Sequence, residues 1–452
     1  MTTTKEPKDP ALPKAARWPF DVRRVPFFYG WVIWLVSTVG FLISVPGQTM
    51  GMAVFTDPFI DAFDLSRTQL SFAYLVGTLG SAVLLTRAGR WYDKMGARVM
   101  IVASSVALGV FVLLISSIDL IATWIIGLTG LNFASVSFAL ILLGYFGVRF
   151  SGQGILTSAS RNVLLVWFEK RRGLVSGVRG VFVSLGFSLA PLLLALMIDD
   201  FGWRGALWVL AASVGVGFAF LALLLTRDTP ESCGLRPDGG LAVEAHAVQL
   251  NDPNIRAAEA RRSPVFWIYA AGLSMHALFG TAVTFHIVAI FAEAGRGRDE
   301  AFGYFFPQAI VSLSVNLVAS WFADTAPLKP FLVVMLIAFI TGAVGLLNLD
   351  SNAGYWLLVV GFGAGGGLWG VLSNLAFIRY FGRLHLGEIS GMNTSLTVFA
   401  SAIGPALFSI GTDLFGTYQA AEWICLGGLF VLLIGAMWIR QEEPSASRAP
   451  SI

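Results

Sequence analysis

The chain has 452 residues, of which 56% are hydrophobic and only 13% are charged. Soluble domains carry about 25% charged residues, so this composition excludes a water-facing globular protein. The net charge of +3 does not indicate a nucleic-acid partner, because the positions of the basic residues have another explanation, given below. The chain has no phosphate-binding loop of the Walker type and no nucleophile or metal-ligand cluster. We therefore predict no enzyme, no cofactor and no metal site.

Twelve apolar stretches are long enough to cross a bilayer, which requires about 20 residues per helix. They predict an all-α membrane protein with 12 transmembrane helices, solvated by the lipid bilayer. The predicted helices cover residues 28–52, 67–88, 98–118, 137–165, 173–199, 204–226, 264–292, 301–322, 329–348, 354–379, 389–412 and 419–439.

One long polar segment, 227–263, divides the chain into a first half, 28–226, and a second half, 264–440. Each half is predicted to be a six-helix bundle. The flanking segments 1–27 and 441–452 are predicted cytoplasmic tails, and 227–263 a cytoplasmic linker.

The distribution of Lys and Arg predicts the orientation. With both termini in the cytoplasm, 23 of the 30 basic residues fall in cytoplasmic segments and four in outer loops. The other three, Arg149, Arg161 and Arg179, fall within predicted helices. This asymmetry predicts a multi-pass protein of the inner membrane.

Corresponding residues recur in the two halves at a constant offset of 214 positions. Gly173 and Ser176 match Gly387 and Ser390, and Pro191 matches Pro405. The fifth and eleventh helices are therefore equivalent elements of duplicated halves, as alternating-access transporters require. The apolar segment 120–137 interrupts the scheme, and we interpret it as an amphipathic piece on the outer surface.

The segment after the second helix reads Gly89-Arg-Trp-Tyr-Asp93-Lys94-Met-Gly96-Ala-Arg98. It resembles the G-x-x-x-D-[RK]-x-G-x-[RK] signature of the major facilitator superfamily, at the same topological position. The resemblance implies two pseudo-symmetric six-helix bundles and a conformational latch formed by these five numbered residues. In the latch, an acid faces nearby helix N-termini. The alternative is a charged loop that only sets topology. We predict that Asp93→Asn shifts the inward/outward balance.

Three arginines lie within predicted helices, where a cation costs at least about 2.5–3.5 kcal/mol. Arg149 in the fourth helix, with Gln153 one turn further on, either binds an anionic substrate or braces the helix through backbone carbonyls. Arg161 and Arg179 lie nearer the cytoplasmic ends, and we expect them to snorkel to the interface.

Five other polar residues within predicted helices complete the candidate site. His276 and His286 in the seventh helix are proton-coupling candidates because imidazole titrates near neutrality, and His276 is also a substrate-binding candidate. A packed histidine is the alternative. Asn316, Asn374 and Asn393 bind either the substrate or neighbouring helices.

Shorter stretches resemble the monocarboxylate-porter and oxalate/formate-antiporter branch of the superfamily. Tyr29-Gly30-Trp31-Val32 opens the first helix, and Trp167-Phe168-x-Lys-Arg-Arg-Gly173 joins the fourth and fifth. That branch implies a basic residue in helix 8 or 11, but here helix 8 offers Gln308 and Asn316, and helix 11 offers Asn393 and Thr394.

The sequence therefore predicts a secondary active transporter, working as a monomer, for a small organic solute. A mono- or dicarboxylate, moved by proton symport or by anion exchange, is the first expectation. An exporter of a neutral or amphipathic compound on the same fold is the alternative.

Overall fold

The computed structural model describes residues 18–239 and 255–439. Within these ranges, nine helices are long and apolar enough to cross a membrane. Twelve crossing segments result when the two longest helices are divided at their internal turns and the shorter helix Gly30–Leu42 is counted. The fold is thus the predicted all-α membrane architecture. The predicted tails and the middle of the linker lie largely outside the described residues.

The crossing segments are numbered α1–α12 in chain order. They are α1 Gly30–Leu42, α2 67–95, α3 97–116, α4 Phe133–Trp167, α5 172–201, α6 203–225, α7 Pro264–Glu293, α8 Phe305–Ala323, α9 Leu328–Leu347, α10 Asn352–Phe381, α11 Leu386–Phe415 and α12 Gln419–Trp438.

Two of the predicted loops are turns at a single glycine. The helix Arg67–Ser116 turns from α2 into α3 at Gly96, where φ is 83° and ψ is 167°. The helix that begins at Arg172 turns from α5 into α6 at Gly202, with φ 69° and ψ 163°. Glycine adopts these angles without a Cβ clash. The predicted loop 89–97 is therefore wrong, and most of its motif is helical.

The first predicted helix, 28–52, is also wrong in extent, because α1 ends at Leu42. A short turn, Val45–Gly47, follows, in which Pro46 lacks the amide proton that an α-helix needs. Gly47 packs directly on α4, since a Cβ there would lie 2.6 Å from the Gln153 nitrogen. The chain then continues as the short helices Thr49–Ala53 and Thr56–Phe63.

The apolar segment predicted at 120–137 forms the helix Ile118–Thr129, and α4 then begins at Phe133. Leu120 and Trp124 are exposed on this helix. Its first turn is tied to the start of α6 by an ion pair between Asp119 and Arg204 at 2.5 Å.

Each half has its own apolar core. One cluster of buried side chains includes Ile33, Val148 and Trp167 of the first half. The other belongs almost wholly to the second half and includes Phe266 and Leu336. A small third cluster, formed by Ala82 and Leu85 of α2 with Val398 of α11, lies between the halves. The two bundles are therefore packed separately, with one small apolar contact between them.

Candidate functional site

The two halves meet at the basic face, which we define as the helix ends carrying Arg87, Arg90, Lys170, Arg379 and Arg383. Here the Asp93 carboxylate accepts hydrogen bonds from the backbone N–H groups of Gly387 at 2.7 Å and Glu388 at 2.8 Å. These amides open α11, so the acid of the first half caps a helix of the second half. A carboxylate is stabilised at a helix N-terminus by the helix dipole.

The same contact occurs once more with the roles of the halves exchanged. Asp324, which follows α8, accepts hydrogen bonds from the N–H groups of Gly173 at 2.5 Å and Leu174 at 3.1 Å, at the start of α5. Gly173 and Gly387 are the positions related by the 214-residue repeat. The loop between the eighth and ninth helices is the second half's equivalent of the loop between the second and third, and it also carries an acid, Asp324. This acid was the available signal for the second contact, which the sequence analysis did not assign.

Burial at this contact raises the pKa of Asp324 above its ordinary value. The two backbone N–H groups and Arg379 act in the opposite direction, and Asp238 adds a repulsion. The loss of solvation on burial therefore outweighs the effect of the two hydrogen bonds and of Arg379 on this pKa.

Glycines allow α2 to approach α11, and α5 to approach α8, at these contacts. A Cβ at Gly89 would lie 2.1 Å from the Gly387 carbonyl oxygen, and one at Gly173 would lie 2.3 Å from the Ser320 carbonyl oxygen. Any side chain at these positions would push the halves apart, because the atoms it would meet belong to the backbone.

The remaining motif residues lie on the first half. Lys94 is exposed, and Gly96 forms the turn between α2 and α3. Arg98 donates to the Leu223 carbonyl at the end of α6, with its Nε at 2.7 Å, and its backbone N–H donates to Asp228. The motif thus makes two kinds of contact: Asp93 binds α11 of the second half, and Arg98 binds the end of α6 in the first half.

The linker also crosses between the halves. Glu231 forms an ion pair with Arg383 at 2.9 Å. Asp238 accepts from the N–H groups of Glu169 at 3.0 Å and Lys170 at 2.7 Å, at the end of α4.

About 10 Å inward from the basic face, two arginines of the first half reach the second half. Arg161 lies six residues before the end of α4, and Arg179 seven residues after the start of α5, at 1.5 Å per residue. Arg179 donates to the Asn374 Oδ1 of α10 at 3.0 Å and to the Ser37 hydroxyl of α1 at 3.3 Å. Arg161 donates to the Thr394 hydroxyl of α11 at 3.4 Å.

These contacts correct the expectation that both arginines snorkel to the interface. Arg179 is only 4% exposed and lies over the Phe41 ring, with 5.1 Å between its guanidinium carbon and the ring centroid. The Arg179 Nε has no partner among the described residues. Sequence reasoning assigned a third helical arginine, Arg149, to this role instead.

Arg149 is buried within the first half, and its contacts favour the bracing role. Its Nη1 donates to the Gly47 carbonyl at 3.0 Å, in the break that follows α1. Its guanidinium also lies over the Tyr74 ring at 5.1 Å. Gln153 is partly buried on the same helix. The structure does not bring this pair to the second half.

Both histidines lie inside the second half. The His276 ring stacks on Phe339 of α9, with centroids 4.8 Å apart, and lies 5.0 Å from Trp369 of α10. Its Nδ1 is buried without a partner in the described part of the chain. His286 contacts the Pro405 carbonyl through Nε2 at 3.0 Å. Neither ring lies beside the arginine pair, so proton coupling stays a prediction for both.

The three asparagines divide between packing and the interface. Asn374 accepts from Arg179. Asn316 donates to the Gly367 carbonyl at 2.9 Å, and its Oδ1 lies beside Gly180. Asn393 is buried next to Thr394, and its Oδ1 also lacks a donor among the described residues. A further side-chain bond between the halves, from Asn162 to Ser390 at 2.9 Å, was not predicted.

Two helical bundles that meet through capped helix ends and enclose polar side chains form the architecture of an alternating-access membrane transporter. The family model of the Major Facilitator Superfamily matches residues 36–405, and the chain belongs to this superfamily. The protein is therefore a multi-pass membrane protein and a secondary transporter of this type.

The chain is 33% identical over 118 residues to a probable hexose phosphate transport protein of Chlamydia pneumoniae, a match spanning 26% of each chain. It is 26% identical over 316 residues to the 2-nitroimidazole transporter of Escherichia coli K12, covering 67% of this chain and 73% of that protein.

Among solved structures, the E. coli fucose:proton symporter FucP superposes with a TM-score of 0.64 at 13% identity, covering 92% of this chain and 100% of that one. An identity this low shows a shared fold alone. The two sequence relatives do not support the monocarboxylate or oxalate/formate branch that the shorter motifs suggested.

Proposed function

We propose that the protein is a secondary active transporter of a small organic anion, with a carboxylate as the first expectation. Arg161 and Arg179 are the residues proposed to bind the anion, in place of Arg149. Alternating access would expose this site to each side of the membrane in turn, with the contacts of Asp93 and Asp324 closing the basic face. Inner-membrane location, cytoplasmic termini and a monomeric state remain predictions.

The observation that carries this proposal is that Arg161 and Arg179 both reach the second half and that their hydrogen-bond partners are neutral groups. A buried cation is stabilised by an anion far more than by a hydroxyl or an amide. An anion entering between the halves would accept hydrogen bonds from both guanidiniums, and Asn374 and Thr394 would line the same position. Because these contacts join the two halves, ligand binding here alters the relative stability of the closed and open arrangements.

For coupling, proton symport is the first proposal and anion exchange the second. His276 is the proposed proton carrier, since its buried Nδ1 has no partner among the described residues. The test is uptake of labelled mono- and dicarboxylates into proteoliposomes, with and without an inward proton gradient. Arg161→Gln and Arg179→Gln should each abolish uptake, whereas Arg87→Gln, which removes an exposed cation of α2, should retain it.

Two results would contradict the proposal. One is accumulation of an acid that persists in both arginine variants. The other is a reconstituted protein, shown to be folded, that moves none of the acids in either direction.

A second candidate function is export of a neutral or amphipathic compound. The relative named as a 2-nitroimidazole transporter, which covers 67% of this chain, favours this alternative. Cells lacking the protein would then lose resistance to such a compound rather than lose uptake of an acid. Transport of a neutral compound would also persist in Arg161→Gln.

A further inference from the structure

Arg161 and Arg179 place two positive charges between the halves, where each guanidinium contacts a helix of the second half. Arg179 is almost fully buried, and Arg161 is partly exposed. Ser37 accepts from Arg179 and donates to the Ser160 carbonyl at 2.5 Å, directly before Arg161 in the chain. Ser37 therefore links the Arg179 guanidinium to the backbone next to Arg161, and we call the two arginines with Ser37, Asn374 and Thr394 the arginine cluster.

The groups that surround this cluster do not neutralise it. α1 contributes the Ser37 hydroxyl, α10 the Asn374 amide and α11 the Thr394 hydroxyl, and all three are neutral. The acid of α11 nearer to Thr394, Glu388, lies six residues before it, about 9 Å along the helix. Glu388 contacts Arg90 and Arg261 instead. In the part of the chain that the structure describes, neither guanidinium has a carboxylate within ion-pair distance.

We propose that the transported anion carries two negative charges, as a dicarboxylate or a phosphate monoester does. This inference rests on the proposed function and specifies its substrate class. A monoanion would neutralise one guanidinium and leave the other cation uncompensated between the halves. A dianion neutralises both, and each guanidinium can form charge-assisted hydrogen bonds with it. A dicarboxylate does so with two separate groups, and a phosphate monoester with one group of three oxygens.

The test is equilibrium binding to the purified full-length protein in detergent, so that it does not depend on transport. The ligands are succinate and butyrate, which share a four-carbon chain and differ by one carboxylate, and glycerol 3-phosphate. Loss of one charge-assisted contact corresponds to roughly a 10- to 100-fold loss of affinity. We therefore expect succinate, glycerol 3-phosphate or both to bind at least about tenfold more tightly than butyrate.

Variants then assign this preference to the arginine pair. Arg161→Gln and Arg179→Gln should each reduce the dianion preference to within about twofold, while Arg87→Gln leaves it unchanged. Arg161→Lys and Arg179→Lys keep the charge and should retain part of the preference. The lysine variants also provide the comparison if either glutamine variant fails to fold.

Each outcome is decisive. Equal binding of succinate, glycerol 3-phosphate and butyrate to the wild-type protein, with affinity lost in both glutamine variants, would overturn the dianion inference and leave anion transport standing. A dianion preference that survives both glutamine variants would also overturn the inference. If none of the three anions binds folded wild-type protein, the proposed function fails together with the inference. Binding of succinate but not of glycerol 3-phosphate would identify a dicarboxylate substrate, and the reverse result would identify a phosphate monoester.

Discussion

Gly89→Ala should open the contact between the halves at the basic face. The added Cβ would lie 2.1 Å from the Gly387 carbonyl oxygen, whereas Cβ atoms essentially never approach closer than 3.0 Å. α2 and α11 must therefore separate by about 0.9 Å. That movement also lengthens the 2.7 Å hydrogen bond from the Gly387 N–H to Asp93.

Overpacking of this kind costs about 1–3 kcal/mol. The clash exists only when the basic face is closed, so the whole cost shifts the equilibrium between the closed and open forms. The expected shift is roughly 5- to 150-fold toward opening. Gly173→Ala should act in the same direction, because its Cβ would lie 2.3 Å from the Ser320 carbonyl oxygen.

The assay is maleimide labelling of a reporter cysteine between the halves. Cys233 and Cys425 are free and buried, and are first replaced. Val398→Cys then supplies the reporter, because Val398 is 5% exposed and packs on Ala82 and Leu85. Labelling should be faster in Gly89→Ala than in the parent protein.

Gly427→Ala is the matched control for this experiment. A Cβ at Gly427 of α12 would meet no atom within 4 Å, and the substitution changes helix propensity in the same way. If Gly89→Ala and Gly173→Ala both label at the rate of Gly427→Ala, the steric account of the contact is refuted.

Three further predictions use the same preparations. Arg149→Gln should lower the free energy of unfolding by about 1–3 kcal/mol, seen as a lower melting temperature, because the Gly47 carbonyl loses its charged donor. The folded variant should still bind the transported anion. Loss of binding at unchanged stability would instead assign Arg149 to the substrate. Burial raises the pKa of Asp324 in the closed contact. The closed form therefore binds a proton on this carboxyl group more tightly than the open form, in which the group is in water. Lowering the pH then favours the closed form. The ratio of Val398→Cys labelling in Asp324→Asn to labelling in the parent should therefore rise as pH falls from about 8 to about 5, and a constant ratio would contradict this. His276→Gln should abolish accumulation driven by a proton gradient while retaining ligand binding, because an amide does not titrate, and full accumulation in this variant would exclude His276 as the proton carrier.

The sequence determined the class of protein and its duplicated plan. Three features of the sequence carry this information: the low charge, the apolar stretches of spanning length and the 214-residue repeat. They are local or regularly spaced, so they can be recognised without knowing how the helices pack. The motif from Gly89 to Arg98 could be recognised for the same reason, since its glycines and its acid lie within ten consecutive residues. Even here the extent of the helices was misjudged, because one glycine at positive φ was sufficient for the turn at Gly96.

Only the tertiary structure decided which helical arginine reaches the second half. Arg149, Arg161 and Arg179 carry the same cost in the membrane, and sequence alone does not specify how each helix is rotated about its axis. The partners of Arg179 and Arg161, Asn374 and Thr394, lie about two hundred residues away in the chain. Their meeting depends on the docking of two separately packed bundles, which no local pattern records.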